Sequence, residues 1–322
     1  MLYVRKVGVI GSGAMGSQIA EIMALNGYEV YLKDVAKEFL DRGMARMKND
    51  LDELVAFHKT KGEREILRIK EQDGVELGEE QKNLVRAKLK PGYDEKRASE
   101  VLARIHPSES LDPFRSVDLV VEAIIEEIGE KKKLFKELDS VTPKNAILAS
   151  NTSTLSITEI ASATGRRDKV IGTHFFNPPI TLPLVEVIPG LETNEETVSD
   201  VIDFLSSLRN HRYPMLPVKV KEVPGFLVNR ILGAMLNESY ALYEEGVASM
   251  RDIDQAMKAG AGMPMGPFEL SDLIGIDVLY HVEESIKAME GSFVTPRPTQ
   301  IVKKMFYSGR LGRKTGKGFY NY

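Results

Sequence analysis

Residues 6–34 read KVGVIGSGAMGSQIAEIMALNGYEVYLKD, and this stretch decides the fold. The apolar run Val7–Ile10 predicts a strand, the apolar spacing over Ile19–Leu25 predicts a helix, and the run Val30–Leu32 predicts a second strand. A strand, a helix and a strand within about thirty residues form the smallest right-handed crossover unit. The stretch therefore predicts that the chain begins with a parallel sheet.

The segment between the first strand and the helix, residues 11–16, has the glycine spacing GxGxxG. Its position after a strand and before a helix is what makes the motif informative, because the glycines alone are a weak signal. The first glycine permits a tight turn, the second leaves the helix N-terminus open to a pyrophosphate, and the third allows close helix packing. The cofactor contacts predicted here are Gly11, Gly13, Ala14, Met15 and Gly16. The alternative is a glycine turn that binds no nucleotide.

Asp34 ends the second predicted strand. A carboxylate at this position can accept hydrogen bonds from both hydroxyls of a ribose, and it repels a 2′-phosphate. Lys33 and Lys37 lie nearby and weaken that preference only slightly. The sequence therefore predicts NAD rather than NADP as the cofactor.

Further apolar runs alternate with helical patterns along the first two thirds of the chain, which is typical of a doubly wound sheet. These runs are Val117–Val121, Ala146–Ala149, Val170–Gly172, Val185–Ile188 and Met215–Val220. Beyond Pro224 the pattern is helical throughout. The predicted helices there are Phe226–Glu245, Asp252–Ala259, Pro267–Ile274 and Val278–Met289. We therefore predict an α/β fold: a Rossmann-type domain over 1–221, followed by a smaller all-helical domain over 222–322.

A segment dense in charges of both signs, about 57–100, interrupts the sheet pattern. Its thin apolar stripes predict a helical pair that projects from the sheet domain as an arm. Two interpretations remain open. The arm is either a solvated appendage, or it borders the ligand, since helices inserted at the edge of a sheet often line the binding crevice.

Composition narrows the classes of function. The chain has 322 residues, a net charge of −4 and no cysteine. These values favour two globular domains without disulfides, and they give no basic field for nucleic acid. No N-terminal signal peptide and no apolar stretch of membrane-spanning length is found. We therefore expect a soluble, cytoplasmic protein with no metal site, no nucleic-acid partner and no membrane partner.

Polar residues follow two of the predicted strands, at the edge where open parallel sheets bind ligands. Ser150-Asn151-Thr152-Ser153 follows one apolar run, and His174 ends the next. Glu186 is the one charged residue in the apolar run Leu184–Ile188, and a buried carboxylate needs a partner. A His–Glu pair is a general-base unit, which predicts catalysis by His174 and Glu186. The alternatives are a structural histidine and a solvent-facing Glu186 on an edge strand.

Five motifs in order resemble those of the L-3-hydroxyacyl-CoA dehydrogenase family. They are SNTS at 150–153, HFFNP at 174–178, PGFLVNR at 224–230, GAGMPMGPFEL at 260–270 and GRKTGKGFY at 312–320. The resemblance covers nearly the whole chain apart from the charged arm. It implies NAD-dependent oxidation of a 3-hydroxyacyl-CoA and the reverse reduction of a 3-ketoacyl-CoA.

The resemblance also implies roles for individual residues. His174 matches the catalytic histidine and Glu186 its paired glutamate, while Ser153 matches a serine near the substrate oxygen and the nicotinamide. Asn229 matches an asparagine that completes the site from the helical domain. The implied cofactor contacts, besides those of the glycine loop, are Asp34, Glu126, Lys131, Ser153 and Lys314. For Lys131 the alternative is a solvated lysine, because it begins a run of three lysines.

The family's coenzyme A contacts lie on the arm, where this sequence is longer, so they do not carry over residue by residue. By resemblance we expect a homodimer that pairs through the helical domain. The chain is also compatible with one part of a larger polypeptide that includes a hydratase. Two rival functions remain open at this stage: a dehydrogenase of a free hydroxy acid or sugar acid, and a nucleotide-binding protein without turnover.

Overall fold

The computed structural model of the protein describes residues 4–89, 92–288 and 300–322. Contacts divide the chain into two units, Met1–Glu222 and Val223–Tyr322, which are called the first and the second unit below.

Eight strands in the described part of the first unit form one sheet. They are β1 (Lys6–Ile10), β2 (Glu29–Lys33), β3 (Ile105–Ser108), β4 (Leu119–Glu122), β5 (Ile147–Ser150), β6 (Val170–Phe175), β7 (Leu184–Pro189) and β8 (Leu216–Lys219). Their spatial order is β3-β2-β1-β4-β5-β6-β7-β8. All paired strands are parallel except β6 and β7, which are antiparallel. The predicted doubly wound sheet is confirmed, with an antiparallel step after β6.

The point where the strand order reverses lies between β1 and β4. Gly11 follows β1 with a φ of +96°, and a Cβ built on it would lie 2.4 Å from the carbonyl oxygen of Ala123, which follows β4. The two strand ends therefore meet so closely that only glycine fits. This reversal point is where open α/β sheets bind their ligands.

Helices cover both faces of the sheet or extend beyond it. They are α1 (Ala14–Leu25), α2 (Lys37–Lys59), α3 (Lys61–Gln72), α4 (Glu79–Lys88), α5 (Glu95–Ala103), α6 (Ile128–Val141), α7 (Ile157–Ala161) and α8 (Glu195–Ser207). Apolar residues of α1, α2, α5 and α8 pack against the strands in one continuous core. The buried stripes on α2, α5 and α8 follow from apolar residues spaced three or four apart, whereas α1 is buried continuously over residues 16–24.

The charged arm is a helical pair, as predicted. Helices α3 and α4 pack against each other, and Arg86 Nε of α4 lies 2.6 Å from Glu63 Oε1 of α3. No residue of α4 is buried, and exposed ion pairs of this kind contribute only ~0–1 kcal/mol each. The pair is thus held together weakly. Lys90 and Pro91, which fall within the predicted arm, lie outside the described residues.

The second unit is helical, which confirms the predicted fold class. Its helices are α9 (Val228–Glu244), α10 (Met250–Ala261), α11 (Pro267–Ile274), α12 (Ile276–Ala288) and α13 (Ile301–Tyr307). The ring of Phe268 lies at the centre of its core, with centroid distances of 4.9 Å to Phe319 and 5.7 Å to Tyr240. Such aromatic pairs stabilise the core beyond the area that they bury.

Several element bounds differ from the predictions, and two elements were not predicted. Helix α10 continues past the predicted stop at Gly260, because the left-handed residue that ends it is Gly262, with a φ of +67°. Strand β3 was not predicted, since Ile105 is its one buried residue and the strand lies at the sheet edge. Helix α13 was also missed. The predicted helix end at Met289 lies outside the described residues.

A buried hydrogen bond joins α1 to the segment that follows α8. Glu21 Oε1 lies 2.6 Å from His211 Nε2, and Glu21 is fully buried. Burial raises the pKa of the Glu21 carboxyl to about 7, and its hydrogen bond and charge interaction with His211 only partly oppose that shift. Ionising Glu21 therefore costs more in the folded chain than in the unfolded chain.

We expect the stability of the protein, relative to a Glu21→Gln variant, to fall as the pH rises from about 4.5 to about 7. The folded pKa lies above the unfolded value of 4.5, so the contribution of Glu21 is full below that value and is lost through the folded pKa. Urea unfolding of both proteins at pH 5, 6, 7 and 8 measures the difference. A difference that does not change with pH would contradict the shift.

Candidate active site

The glycine loop between β1 and α1 leaves the helix N-terminus open. A Cβ on Gly16 would lie 1.8 Å from the carbonyl oxygen of Gly11, so the helix packs where only glycine is tolerated. Gly13 precedes α1, and nothing lies within 4 Å of a Cβ built on it. No side chain caps the helix there, so its first amides, at Ala14 and Met15, have no capping side chain as a partner. A pyrophosphate fits this cradle, because backbone N–H groups and the helix dipole both attract an anion.

Asp34 lies beside the glycine loop, directly after β2. Its Oδ2 accepts hydrogen bonds from the amide and the hydroxyl of Ser12, each at 2.7 Å, and its Oδ1 accepts from the amide of Val35 at 2.7 Å. The carboxylate is thus held in one position next to the cradle. Its charge and its place fit a ribose diol and do not fit a 2′-phosphate.

Replacing Asp34 with alanine is expected to narrow the preference for NADH over NADPH, because the charge that repels a 2′-phosphate is removed. The unmodified protein should use NADH clearly better than NADPH. Steady-state kcat/KM with each reduced cofactor measures the ratio. Equal use of both cofactors by the unmodified protein would be incompatible with the assigned role of Asp34.

The antiparallel step of the sheet places His174 opposite Glu186. The two residues are paired in the register of β6 and β7, and His174 Nδ1 lies 2.8 Å from Glu186 Oε2. Glu186 is fully buried and His174 is 4% exposed, so Glu186 does not face solvent. The ring of Phe176 lies against the histidine, with ring centroids 4.5 Å apart. The structure therefore brings this predicted pair together in hydrogen-bond contact, shielded from water.

The loop that follows β5 carries Ser153 next to β6. Asn151 Oδ1 accepts a hydrogen bond from the amide of Phe175 at 2.8 Å, which ties the loop to the strand that bears His174. Glu126 Oε1 accepts from the Ser153 amide at 2.7 Å and from the Thr152 hydroxyl at 2.6 Å. The Ser153 hydroxyl itself makes no hydrogen bond within the described ranges. The side chain of Glu126 thus orients this loop and leaves that hydroxyl available.

Lys131 is buried, and the interpretation of it as a solvated lysine is wrong. Its side chain is 1% exposed, and its Nζ lies 2.5 Å from Glu122 Oε1 and 3.4 Å from Glu126 Oε2. Glu122 is fully buried and also accepts from the Ser150 hydroxyl at 2.6 Å. Glu122 was not predicted as a site residue. The sequence carried the same kind of signal for it as for Glu186, because each is a charged residue at the end of an apolar strand or within one.

Two of the predicted site residues belong to the second unit. Asn229 is the second residue of α9 and is half-buried. Lys314 lies in a short 3-10 turn, Arg313–Thr315, and forms an ion pair with Asp277. The other candidates, from Gly11 to Glu186, lie in the first unit.

The described parts of the chain contain neither a metal-ligand cluster nor a membrane-spanning helix. No group of three or more His, Cys, Asp or Glu side chains there could hold a metal ion. No helix among those same residues is both long and apolar enough to span a membrane.

Two protein-family models together match nearly the entire chain. The model described as "3-hydroxyacyl-CoA dehydrogenase, NAD binding domain" matches residues 6–223, and the model described as "3-hydroxyacyl-CoA dehydrogenase, C-terminal domain" matches residues 225–322. The division between the two matches falls within two residues of the division between the two units.

Curated relatives and solved structures agree with these matches. The mitochondrial hydroxyacyl-coenzyme A dehydrogenase of Homo sapiens is 38% identical over 100% of this chain and 92% of its own length. The 3-hydroxybutyryl-CoA dehydrogenase of Clostridioides difficile is 39% identical over 98% of this chain and 99% of its own. The crystal structure of (S)-3-hydroxybutyryl-CoA dehydrogenase from Ralstonia eutropha has a TM-score of 0.80 and 35% identity, and 99% of each chain is covered.

Proposed function

The chain belongs to the 3-hydroxyacyl-CoA dehydrogenase family, and on that premise we propose how its residues oxidise (S)-3-hydroxyacyl-CoA to 3-ketoacyl-CoA and catalyse the reverse. The observation that carries the proposal is the buried contact of 2.8 Å between His174 and Glu186 at the end of β6. A general base at that edge of a nucleotide-binding sheet is what the oxidation of a hydroxyl requires.

His174 acts as the general base. Glu186 accepts a hydrogen bond from Nδ1–H of His174, which keeps that proton on Nδ1 and leaves the Nε2 lone pair as the base. In the oxidative direction Nε2 takes the proton of the 3-hydroxyl, and the buried carboxylate stabilises the imidazolium that forms. When bound, NAD supplies the acceptor for the hydride that leaves C3. In the reverse direction His174 returns the proton to the oxygen.

Ser153 and Asn229 donate hydrogen bonds to the reacting oxygen. Donors that are held in position before the reaction stabilise charge on that oxygen without reorganising. Glu126 holds the Ser153 amide, so the hydroxyl of that residue starts from a defined backbone position. Asn229 belongs to the second unit, and we propose it as a further donor to that oxygen.

The glycine loop binds the pyrophosphate of NAD and Asp34 binds its adenosine ribose. Glu126 and Lys131 lie beside the Ser153 loop, where we propose that Glu126 contacts the nicotinamide end of the cofactor. Lys131 supports that position from behind: its ammonium group is bound to Glu122 at 2.5 Å and lies 3.4 Å from Glu126, so we propose that it positions Glu126 instead of contacting the cofactor. We propose Lys314 as a contact from the second unit.

Replacing Glu186 with glutamine is expected to lower kcat while leaving the affinity for NADH near normal. The amide keeps the size of the side chain, but it does not stabilise a positively charged imidazole ring. Stopped-flow or steady-state turnover across pH 6–9, with a fluorescence titration of NADH, separates the two effects. Full activity of this variant across that range would make Glu186 a structural residue.

The assay that tests the proposed function is NADH oxidation with acetoacetyl-CoA, run beside longer 3-ketoacyl-CoA substrates and free acetoacetate. We expect turnover with the thioesters and little with the free acid. Preference for the free acid would instead favour the hydroxy-acid dehydrogenase, and NADH binding without turnover would favour a silent nucleotide-binding protein.

Three finer properties are proposed on resemblance alone. They are a role in fatty acid metabolism, a cytoplasmic location and a homodimer that pairs through the second unit. Light scattering coupled to size-exclusion chromatography measures the oligomeric state. A monomer at micromolar concentration would remove the dimer from the proposal.

A further inference from the structure

A cavity of about 870 Å³ lies in the first unit, among residues that the proposed reaction does not use. Its wall is formed by the last turns of α1 and α2, the first turns of α5, and the segment Arg209–His211. This volume is in the range of sites that hold a nucleotide-sized ligand. None of the glycine-loop residues or of the residues around His174 lines it.

Two aromatic side chains form part of the cavity lining. The rings of His58 and Tyr93 are neighbours, with centroids 6.2 Å apart, and both residues line the cavity. Tyr93 is 5% exposed, and its hydroxyl and His58 Nδ1 are buried without a hydrogen-bond partner among the described residues. These two buried atoms do not face the open space, so the cations of the rim are the groups that a ligand meets.

The rim of the cavity is cationic. Lys96, Arg97, Arg104 and Arg209 line it, and none of the four forms an ion pair with a carboxylate in the described parts of the chain. In the charged arm, by contrast, Arg68 and Arg86 each form an ion pair with a glutamate.

Two acidic residues also line the cavity, but they do not neutralise the rim. Asp94 Oδ1 is used to cap α5 by accepting from the Arg97 amide, and Glu100 is exposed. Burial lowers the pKa of the His58 ring, and the positive charges of Lys61, Arg64, His211 and Arg97 lower it further. These neighbouring charges give the region around the ring a positive potential.

We propose that this cavity binds a phosphorylated small-molecule anion, with the phosphate groups held by Arg97 and Arg209 at the rim. Phosphate oxygens accept several hydrogen bonds at once, and a single guanidinium group can donate two parallel hydrogen bonds to one phosphate. Two kinds of molecule carry such a phosphate group. One is the nucleotide end of the acyl-CoA substrate, which rests on the proposed function, and the other is a separate phosphorylated metabolite.

The first test is a calorimetric titration of the full-length protein with adenosine 3′,5′-bisphosphate and with inorganic pyrophosphate. Saturating NAD⁺ keeps the cofactor cradle filled, so the probes report a second site. The double variant Arg97→Gln with Arg209→Gln is expected to bind the bisphosphate about tenfold more weakly, because charge-assisted hydrogen bonds are lost. Arg115→Gln, an exposed arginine outside the cavity, is the control for removal of a charge and should bind as the unmodified protein does.

Kinetics identify the source of the phosphate. If KM rises in the double variant for acetoacetyl-CoA but not for the acetoacetyl thioester of pantetheine, the anion is the tail of the substrate. If KM for both stays constant while bisphosphate binding weakens, the anion is a separate ligand. Turnover of the pantetheine thioester by the unmodified protein tests the proposed function without the cavity. Absence of probe binding, or equal binding by the double variant and Arg115→Gln, would overturn the inference.

Discussion

Replacing His174 with glutamine is expected to lower kcat by about 10²–10⁴-fold, the usual contribution of a positioned general base. The affinity for NADH should change little, because the cofactor cradle lies at β1 and β2 and His174 ends β6. Glutamine is preferred over alanine as the test, since its amide group can still donate to the buried Glu186. Alanine would leave that carboxylate without this donor and would confuse catalysis with folding.

Turnover of acetoacetyl-CoA and a fluorescence titration of NADH together measure the effect. His106→Gln is the matched control, because His106 is half-exposed at the edge strand β3 and pairs with Glu29 instead of a site residue. Retention of more than a tenth of the activity by the His174 variant would assign the base to another group.

Replacing Lys131 with methionine is expected to destabilise the first unit by about 3 kcal/mol or more. The substitution keeps much of the side-chain volume but leaves Glu122 buried without its counter-ion, and breaking a buried pair from one side typically costs ~3–5 kcal/mol. Glu122 retains hydrogen bonds from the Ser150 hydroxyl and the Ile124 amide, which places the expected cost at the lower end. Urea unfolding followed by far-UV circular dichroism measures it.

Lys133→Met is the control within the same run of three lysines. Lys133 is exposed, so the change there should stay within about 0.5 kcal/mol. The double variant Glu122→Gln with Lys131→Met should be less destabilised than the sum of the two single variants, because the unpaired buried charge is gone. Equal costs for Lys131→Met and Lys133→Met would show that the ion pair does not support the fold.

Local spacing was sufficient to predict most of the fold. The run from Val7 to Asp34 predicted two parallel strands, the crossover helix and the cofactor class, and the sheet order and the family matches bear this out. Such signals are short in range, since a glycine motif, an apolar alternation or a helical stripe is contained within one element and its turn. Edge strand β3 was missed because it buries only the side chain of Ile105, so its sequence shows no alternation of apolar and polar residues.

Charged residues show where local spacing stops being sufficient. The sequence by itself determined which polar residues follow or interrupt apolar strands, and so it singled out His174 and Glu186 as candidates. The 2.8 Å contact between them depends on the antiparallel register of β6 with β7, which the sequence did not predict. Lys131 looks like its two lysine neighbours in the sequence, yet it is buried because Glu122, nine residues earlier, receives its charge.

The cavity above Tyr93 and His58 likewise joins helices that are far apart in the chain. Only the tertiary structure decides these features. The free energy of burying a charge or a donor is set by the partner that meets it in space, and no pattern along one segment contains that partner.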